Sequence, residues 1–126
     1  MAAIETKKIR NVALLGHGGC GKTSLAEAML YITGGSDRLG KIADGNTVSD
    51  FDAEEIKRGF SLSASVMNMT WKDCKINLID TPGYLDFVGE TNQALRVADS
   101  AVIVVDGKAG IAFVEPNIYH FGIVLY

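Results

Sequence analysis

The chain has 126 residues, 48% of them hydrophobic, which is enough for one small domain with a single core. Its formal net charge of -3 provides no global field that would attract nucleic acid or an anionic membrane, so any contact with RNA has to be local. The two cysteines and two histidines form no CxxC pair or cluster, which excludes a zinc site and favours a reducing, cytoplasmic setting.

The N-terminal third predicts a strand and a helix joined by a glycine-rich turn. Residues 1–10 are charged and lack an apolar run, so they predict neither a signal peptide nor a membrane-spanning helix. Residues 11–15 predict a short buried strand, and residues 22–33 predict a helix. Gly34 and Gly35 should end this helix, because glycine accepts the left-handed conformation that a helix terminus favours. The residues predicted on one face of the helix are Leu25, Met29 and Ile32.

A long polar segment follows at residues 36–63. It shows little periodicity apart from residues 52–58, where an acidic and then basic sequence predicts about two turns of helix. Loops this long in a compact domain are usually functional. A disordered insertion is the alternative interpretation.

The next segment predicts a hairpin. Met67, Met69 and Trp71 alternate with polar residues, which is typical of a strand with one buried face. Residues 72–75 can turn the chain back onto a partner strand at residues 76–80.

A turn, a helix and an apolar strand complete the predicted elements. After the turn at residues 80–83, one side of a predicted helix carries Thr91, Ala94, Leu95 and Ala98, and residues 101–106 form an apolar run. Short apolar strands separated by helices predict a mostly parallel sheet covered on both faces, with one hairpin at its edge.

The glycine-rich turn at residues 16–23 reads GHGGCGKT and matches the pattern GxxxxGK[ST], directly after a strand and before a helix. Such a loop wraps a polyphosphate with its backbone N–H groups, and the helix N-terminus adds partial positive charge. Lys22 would reach the β- and γ-phosphates, and the Thr23 hydroxyl would bind Mg²⁺. A glycine-rich turn without a ligand is the alternative. The residues predicted to hold the nucleotide in this segment are Gly16, His17, Gly18, Gly19, Cys20, Gly21, Lys22, Thr23 and Ser24.

A second candidate segment, Asp80-Thr81-Pro82-Gly83, follows a buried strand. At that position the carboxylate of Asp80 can hold magnesium through water, and Gly83 can offer its N–H to a γ-phosphate. Alone, the tetrapeptide would be an ordinary turn. At the tip of a strand that lies beside the first strand, it predicts a nucleotide site.

Three segments together resemble the GTP-binding domain of translational GTPases, most closely elongation factor G. They are residues 16–23, residues 57–62 (KRGFSL), which match the family's switch I, and residues 80–87 (DTPGYLDF), which match its switch II. The resemblance implies an α/β P-loop fold, with a mostly parallel sheet that has helices on both faces and is incomplete at its C-terminal side. It implies that residues 1–126 are the N-terminal part of a GTP-binding domain, with an atypical tail at residues 112–126.

The resemblance also implies a function and a set of ligands. The cofactors would be GTP or GDP and Mg²⁺, and the ribosome would be a partner through the full-length protein, a GTPase. Ser61 stands where the family has a magnesium-binding threonine, so the implied metal ligands are Thr23, Ser61 and Asp80. The implied catalytic residues are Lys22, Gly83 and Tyr84.

Two segments, switch II and the glycine-rich loop, depart further from the family pattern. Family members commonly have a histidine where Tyr84 stands, placed to orient or stabilise the attacking water. A phenol can hydrogen-bond to that water but carries no positive charge. Elongation factor G usually has an apolar residue and then aspartate where Gly18 and Gly19 stand, and similar changes occur in a bacterial group of elongation factor G-like proteins.

Several functions remain open at this point. The sequence contains no NKxD motif, whose aspartate reads the guanine base in the family, so the choice of guanine over adenine rests on resemblance. The first hypothesis is a translation elongation factor whose GTP hydrolysis is slow unless a ribosome assists. The alternatives are a GTP-responsive binding module with little or no turnover, a non-functional truncated fragment, and, on motifs alone, an ATP-using P-loop enzyme.

Overall fold

The centre of the structure, a computed structural model, is a four-stranded sheet. Strand β1 (Ile9–Leu15) pairs in parallel with β3 (Cys74–Asp80) on one side and with β4 (Ser100–Ile103) on the other. Strand β2 (Ser65–Trp71) is antiparallel to β3 and forms the edge, so the strand order is β2-β3-β1-β4. The predicted mostly parallel sheet with one edge hairpin is confirmed.

The structure describes residues 4–49 and 52–108 of the chain. The predicted atypical tail at residues 112–126 lies outside the described residues. Within the described ranges, no helix has the length and apolar character needed to cross a bilayer.

The two longer helices cover opposite faces of the sheet, as predicted. Helix α1 (Lys22–Ile32) packs Ala26 and Leu30 into one core cluster, and α3 (Val88–Val97) adjoins a second cluster. Successive side chains of β1 point to opposite faces, so Leu14 lies in the first cluster. The second cluster is formed by Ala13, Leu15, Ala101 and Ile103, with Leu95 and Ala98 packed against it.

Glycines end two helices as the sequence indicates. At the end of α1, Gly34 has a φ of 73° and donates its N–H to the carbonyl of Tyr31, while Gly35 donates to that of Leu30. This pair of bonds is a Schellman motif, which satisfies carbonyls that the helix leaves unpaired. The predicted short helix is also present as α2 (Ala53–Arg58), where the Asp52 side chain accepts a hydrogen bond from the N–H of Glu54 at 2.8 Å.

One prediction of burial was wrong: Trp71, predicted on the buried face of its strand, is 49% exposed. Ile32, predicted on one helix face with Leu25 and Met29, is 70% exposed. The inward positions of α1 are Ala26 and Leu30, and Ile32 is the last residue of the helix. Ile32 and Trp71 line an apolar groove of about 200 Å³ at the hairpin end of the sheet. Both side chains are exposed because the described elements leave this groove open.

Candidate nucleotide-binding site

The phosphate-binding loop (residues 16–23) connects the end of β1 to the start of α1. Gly16, Gly19 and Gly21 have φ values of 144°, 82° and 100°, which residues with side chains rarely adopt. At Gly16 a Cβ atom would also lie 2.3 Å from the carbonyl oxygen of Val104. The loop can therefore pass closely over the end of β4 and present the first turn of α1 to the cavity beside it.

Lys22 is held across the inside of this loop. Its side chain is buried, and Nζ donates hydrogen bonds to the carbonyl oxygens of Gly16 at 2.8 Å and His17 at 3.0 Å. Burial lowers the pKa of Lys22 below its usual value, and nearby Cys20 and Asp80 partly offset that shift. Because its two acceptors are neutral carbonyls, the charged form of this buried lysine would be stabilised strongly by an anionic ligand.

Thr23 and Asp80 form a buried polar pair beside the lysine. Thr23 Oγ1 donates to Asp80 Oδ2 at 2.7 Å, and the residues are 8% and 1% exposed. The register explains the contact: β3 ends at Asp80, opposite Leu14 near the end of β1, so the carboxylate arrives beside the start of α1. Hydroxyl and carboxylate oxygens are the ligands that Mg²⁺ prefers.

The described residues contain no group of three or more His, Cys, Asp or Glu side chains that could hold a metal ion. A cation bound at the Thr23–Asp80 pair would therefore take its remaining ligands from hydroxyls, water or phosphate oxygens. This is the coordination that Mg²⁺ adopts in nucleotide sites, where it keeps water and phosphate ligands.

The three motif segments meet around one cavity of about 120 Å³. The predicted site residues that line it are Gly18, Gly19, Gly21, Lys22, Thr23, Ser24, Ser61, Gly83 and Tyr84. The other predicted residues do not line the cavity but adjoin residues that do. Gly16 and His17 accept hydrogen bonds from Lys22, Asp80 accepts one from Thr23, and Cys20 lies between Gly19 and Gly21 in sequence.

Four lining residues were missed by the sequence predictions: Ile42, Gly59, Phe60 and Thr81. Thr81 belongs to the second motif, and its hydroxyl donates to the Leu14 carbonyl at 2.6 Å, which ties switch II to β1. Gly59 and Phe60 belong to the switch I segment, so that motif carried a signal for them. Ile42 lies in the polar loop, and no pattern in the sequence indicates it.

Switch II packs directly on the phosphate-binding loop. The N–H of Gly18 donates to the carbonyl of Gly83 at 2.9 Å. The next residue, Tyr84, places its ring 4.7 Å from that of Phe60 and 5.8 Å from that of His17, measured between centroids, with tilted planes in both cases. Tyr84 therefore contacts both the loop and switch I.

Three glutamates on the helices hold the chain between α1 and β2 in place, and the sequence predictions missed all of them. Glu27 on α1 is fully buried, Glu55 on α2 is 3% exposed, and Glu90 lies on α3. Each carboxylate accepts hydrogen bonds from backbone N–H groups of the segment that leads to β2. The donors are Gly40 and Val48 to Glu27, Leu62 and Ser63 to Glu55, and Ala64 to Glu90.

This geometry defines a class of protein. A glycine-rich loop between a parallel strand and a helix, closed by lysine and threonine and faced by an aspartate from the adjacent strand, is that of a P-loop nucleotide-binding domain. Residues 7–121 match the family described as the elongation factor Tu GTP binding domain. The chain therefore belongs to this family of guanine-nucleotide-binding domains, and the resemblance to translational GTPases is confirmed.

Relatives and solved structures agree with this assignment. The chain is 44% identical over 108 residues to the mitochondrial ribosome-releasing factor 2 of Anopheles gambiae, a match that covers 86% of this chain and 15% of that protein. It is 42% identical over 111 residues to elongation factor G of Granulibacter bethesdensis, covering 88% of this chain and 16% of the relative.

A crystal structure of a Thermus thermophilus protein aligns with a TM-score of 0.80 and 41% identity, covering 82% of this chain and 16% of that one. A bacterial selenocysteine-specific elongation factor aligns with a TM-score of 0.65 and 27% identity, covering 83% and 16%. The chain thus spans about one sixth of the length of the proteins it matches.

Proposed function

We propose that this chain binds GTP or GDP with Mg²⁺ at the phosphate-binding loop, and that the full-length protein is a translation elongation factor that hydrolyses GTP on the ribosome. The observation that carries the proposal is the joint placement of Lys22 and the Thr23–Asp80 pair beside one cavity. These groups are a cation for phosphate and two oxygen ligands for a divalent metal. Family membership supports the choice of guanine nucleotide.

Each group has a distinct role in the proposed site. The N–H groups of the loop and the first turn of α1 bind phosphate oxygens, and Lys22 exchanges its two carbonyl acceptors for the β- and γ-phosphates. Thr23, Asp80 and Ser61 would hold Mg²⁺, which when bound neutralises charge that develops on the phosphates. Gly83 would offer its N–H to the γ-phosphate, and Tyr84 would orient the attacking water.

A second candidate function follows from Tyr84. Its ring faces the cavity between Phe60 and the loop, and a phenol supplies a hydrogen bond but no positive charge. If that is insufficient for turnover, the protein would be a GTP-responsive binding module that changes conformation with the γ-phosphate and hydrolyses it slowly.

Nucleotide binding is tested on the full-length protein with fluorescent GTP, GDP and ATP analogues in Mg²⁺ and in EDTA. We expect the guanine analogues to bind more tightly than the ATP analogue and Mg²⁺ to strengthen binding. Lys22→Met should weaken binding at least about 30-fold, because a charge-assisted contact is lost. Lys8→Met, which removes an exposed lysine outside the site, should leave binding unchanged. Equal binding by both lysine variants would contradict the site assignment.

Turnover is tested by single-turnover hydrolysis of GTP with and without purified ribosomes. The elongation factor proposal expects a rate increase with ribosomes that Tyr84→Phe reduces. A rate that ribosomes leave unchanged, with GTP still bound, would instead support the binding module.

A further inference from the structure

Gly18 differs from the other glycines of the phosphate-binding loop. Gly16, Gly19 and Gly21 have positive φ values, which explains why glycine stands there. The φ of Gly18 lies outside that range, so residues with side chains can adopt its backbone conformation. The absence of a side chain at position 18 therefore needs another explanation.

The space next to Gly18 is taken by the ring of Tyr84. A Cβ atom on Gly18 would lie 2.5 Å from both Cε2 and Cζ of Tyr84 and 3.0 Å from its hydroxyl oxygen. Such distances are well inside van der Waals contact, so a side chain at position 18 and the ring in its present place exclude each other. The hydrogen bond from the Gly18 N–H to the carbonyl of Gly83 restrains the backbone at this contact, whereas the ring is the end of a side chain. The ring is the part that can move.

We propose that Gly18 is a positioning residue for Tyr84. Because Gly18 has no side chain, the phenol ring can pack against the phosphate-binding loop at this position. The same ring also contacts Phe60 of switch I. A larger residue at position 18 turns the ring away from the loop and breaks the connection from loop to switch I. The effect of Gly18 on hydrolysis rests on the proposed function, whereas its effect on the ring does not.

The position of the ring is measured directly by ¹⁹F NMR on the nucleotide-free full-length protein that contains 3-fluorotyrosine. Loss of one signal in Tyr84→Phe assigns the Tyr84 resonance. We expect Gly18→Ala to shift this resonance toward that of free 3-fluorotyrosine, because the ring leaves its contacts. Gly89→Ala is the matched control, because Gly89 has no positive φ and nothing lies within 4 Å of its added Cβ. An unchanged Tyr84 resonance in Gly18→Ala would overturn the proposal.

The consequence for turnover is measured by a double-mutant cycle in ribosome-stimulated GTP hydrolysis. Gly18→Ile should slow hydrolysis at least about tenfold when Tyr84 is present, and less than about threefold in the Tyr84→His background, where the smaller ring leaves room. Effects of equal size in both backgrounds would show that the two positions act independently and would refute the coupling.

The two measurements separate the possible failures. A shifted Tyr84 resonance in a protein that binds GTP but does not hydrolyse it would sustain the positioning role and reject the elongation factor proposal. Normal hydrolysis with an unshifted resonance in Gly18→Ala would reject the positioning role and leave the proposed function intact.

Discussion

Replacement of the buried carboxylate of Glu27 tests how the polar segment is held. The side chain is fully buried and accepts hydrogen bonds from the N–H groups of Val48 at 2.5 Å and Gly40 at 3.1 Å. Glu27→Gln keeps the shape but replaces one acceptor oxygen by an NH₂ group, which then faces a backbone donor. A hydrogen bond to a charged group contributes about 1.5–3 kcal/mol, so we expect the segment to open about 2 kcal/mol more easily.

Hydrogen exchange measures this opening directly. A loss of about 2 kcal/mol corresponds to roughly 30-fold faster exchange of the Gly40 and Val48 amides through local opening. Glu54→Gln is the control, because Glu54 forms an exposed ion pair with Arg58 and such pairs contribute less than about 1 kcal/mol. If Glu27→Gln left exchange of the two amides at the parent rate, the carboxylate would not be what holds the segment.

Three further changes test the nucleotide site. Lys22→Met should weaken binding of a fluorescent GTP analogue at least about 30-fold, because a charge-assisted contact is lost. Burial lowers the pKa of Lys22 in the folded state, so the unfolded state binds more protons at pH values between that lowered pKa and 10.5. The free energy of unfolding of the nucleotide-free protein should therefore rise with pH in this range. Urea titrations should find that this rise is missing in Lys22→Met. Thr23→Ala should reduce GTP affinity about tenfold in Mg²⁺ but not in EDTA, with Thr23→Ser retaining the parent affinity in fluorescence titrations. Gly83→Ala places a Cβ atom 2.3 Å from the Gly18 nitrogen, so it should break the Gly18–Gly83 hydrogen bond and speed exchange of the Gly18 amide about tenfold, and an unchanged rate would contradict the described packing.

Much of the site could be predicted because its geometry is local or follows from strand order. The phosphate-binding loop is one continuous segment between a strand and a helix, and its glycines and Lys22 specify its shape. The pairing of Thr23 with Asp80 required only that the two strands before these residues be parallel neighbours, which the apolar strands and intervening helix indicated. The predictions therefore agree best with the structure where the geometry stays within one segment or follows from the order of the strands.

The parts that could not be predicted depend on contacts between distant segments. Glu27 is buried because residues 13 and 21 positions later fold back onto it, and a glutamate on a helix otherwise indicates an exposed face. Ile32 has the spacing of a core residue, but the end of α1 extends to the open apolar groove. Periodicity shows which residues share one face of a helix or strand, but it does not show whether another element covers that face.

Two of the departures from the family pattern, Gly18 and Tyr84, form a single feature because they are in contact. Glycine at position 18 and tyrosine at position 84 are separate in sequence, yet the ring of one occupies the volume that a side chain at the other would need. The same ring contacts Phe60 directly before Ser61, so one aromatic side chain links the phosphate-binding loop, switch I and switch II. In a Tyr84→His variant, the smaller ring should not contact both Gly18 and Phe60, so the space next to Gly18 would be left empty. Changing the two positions separately and together therefore distinguishes a coupled pair from two positions that act independently.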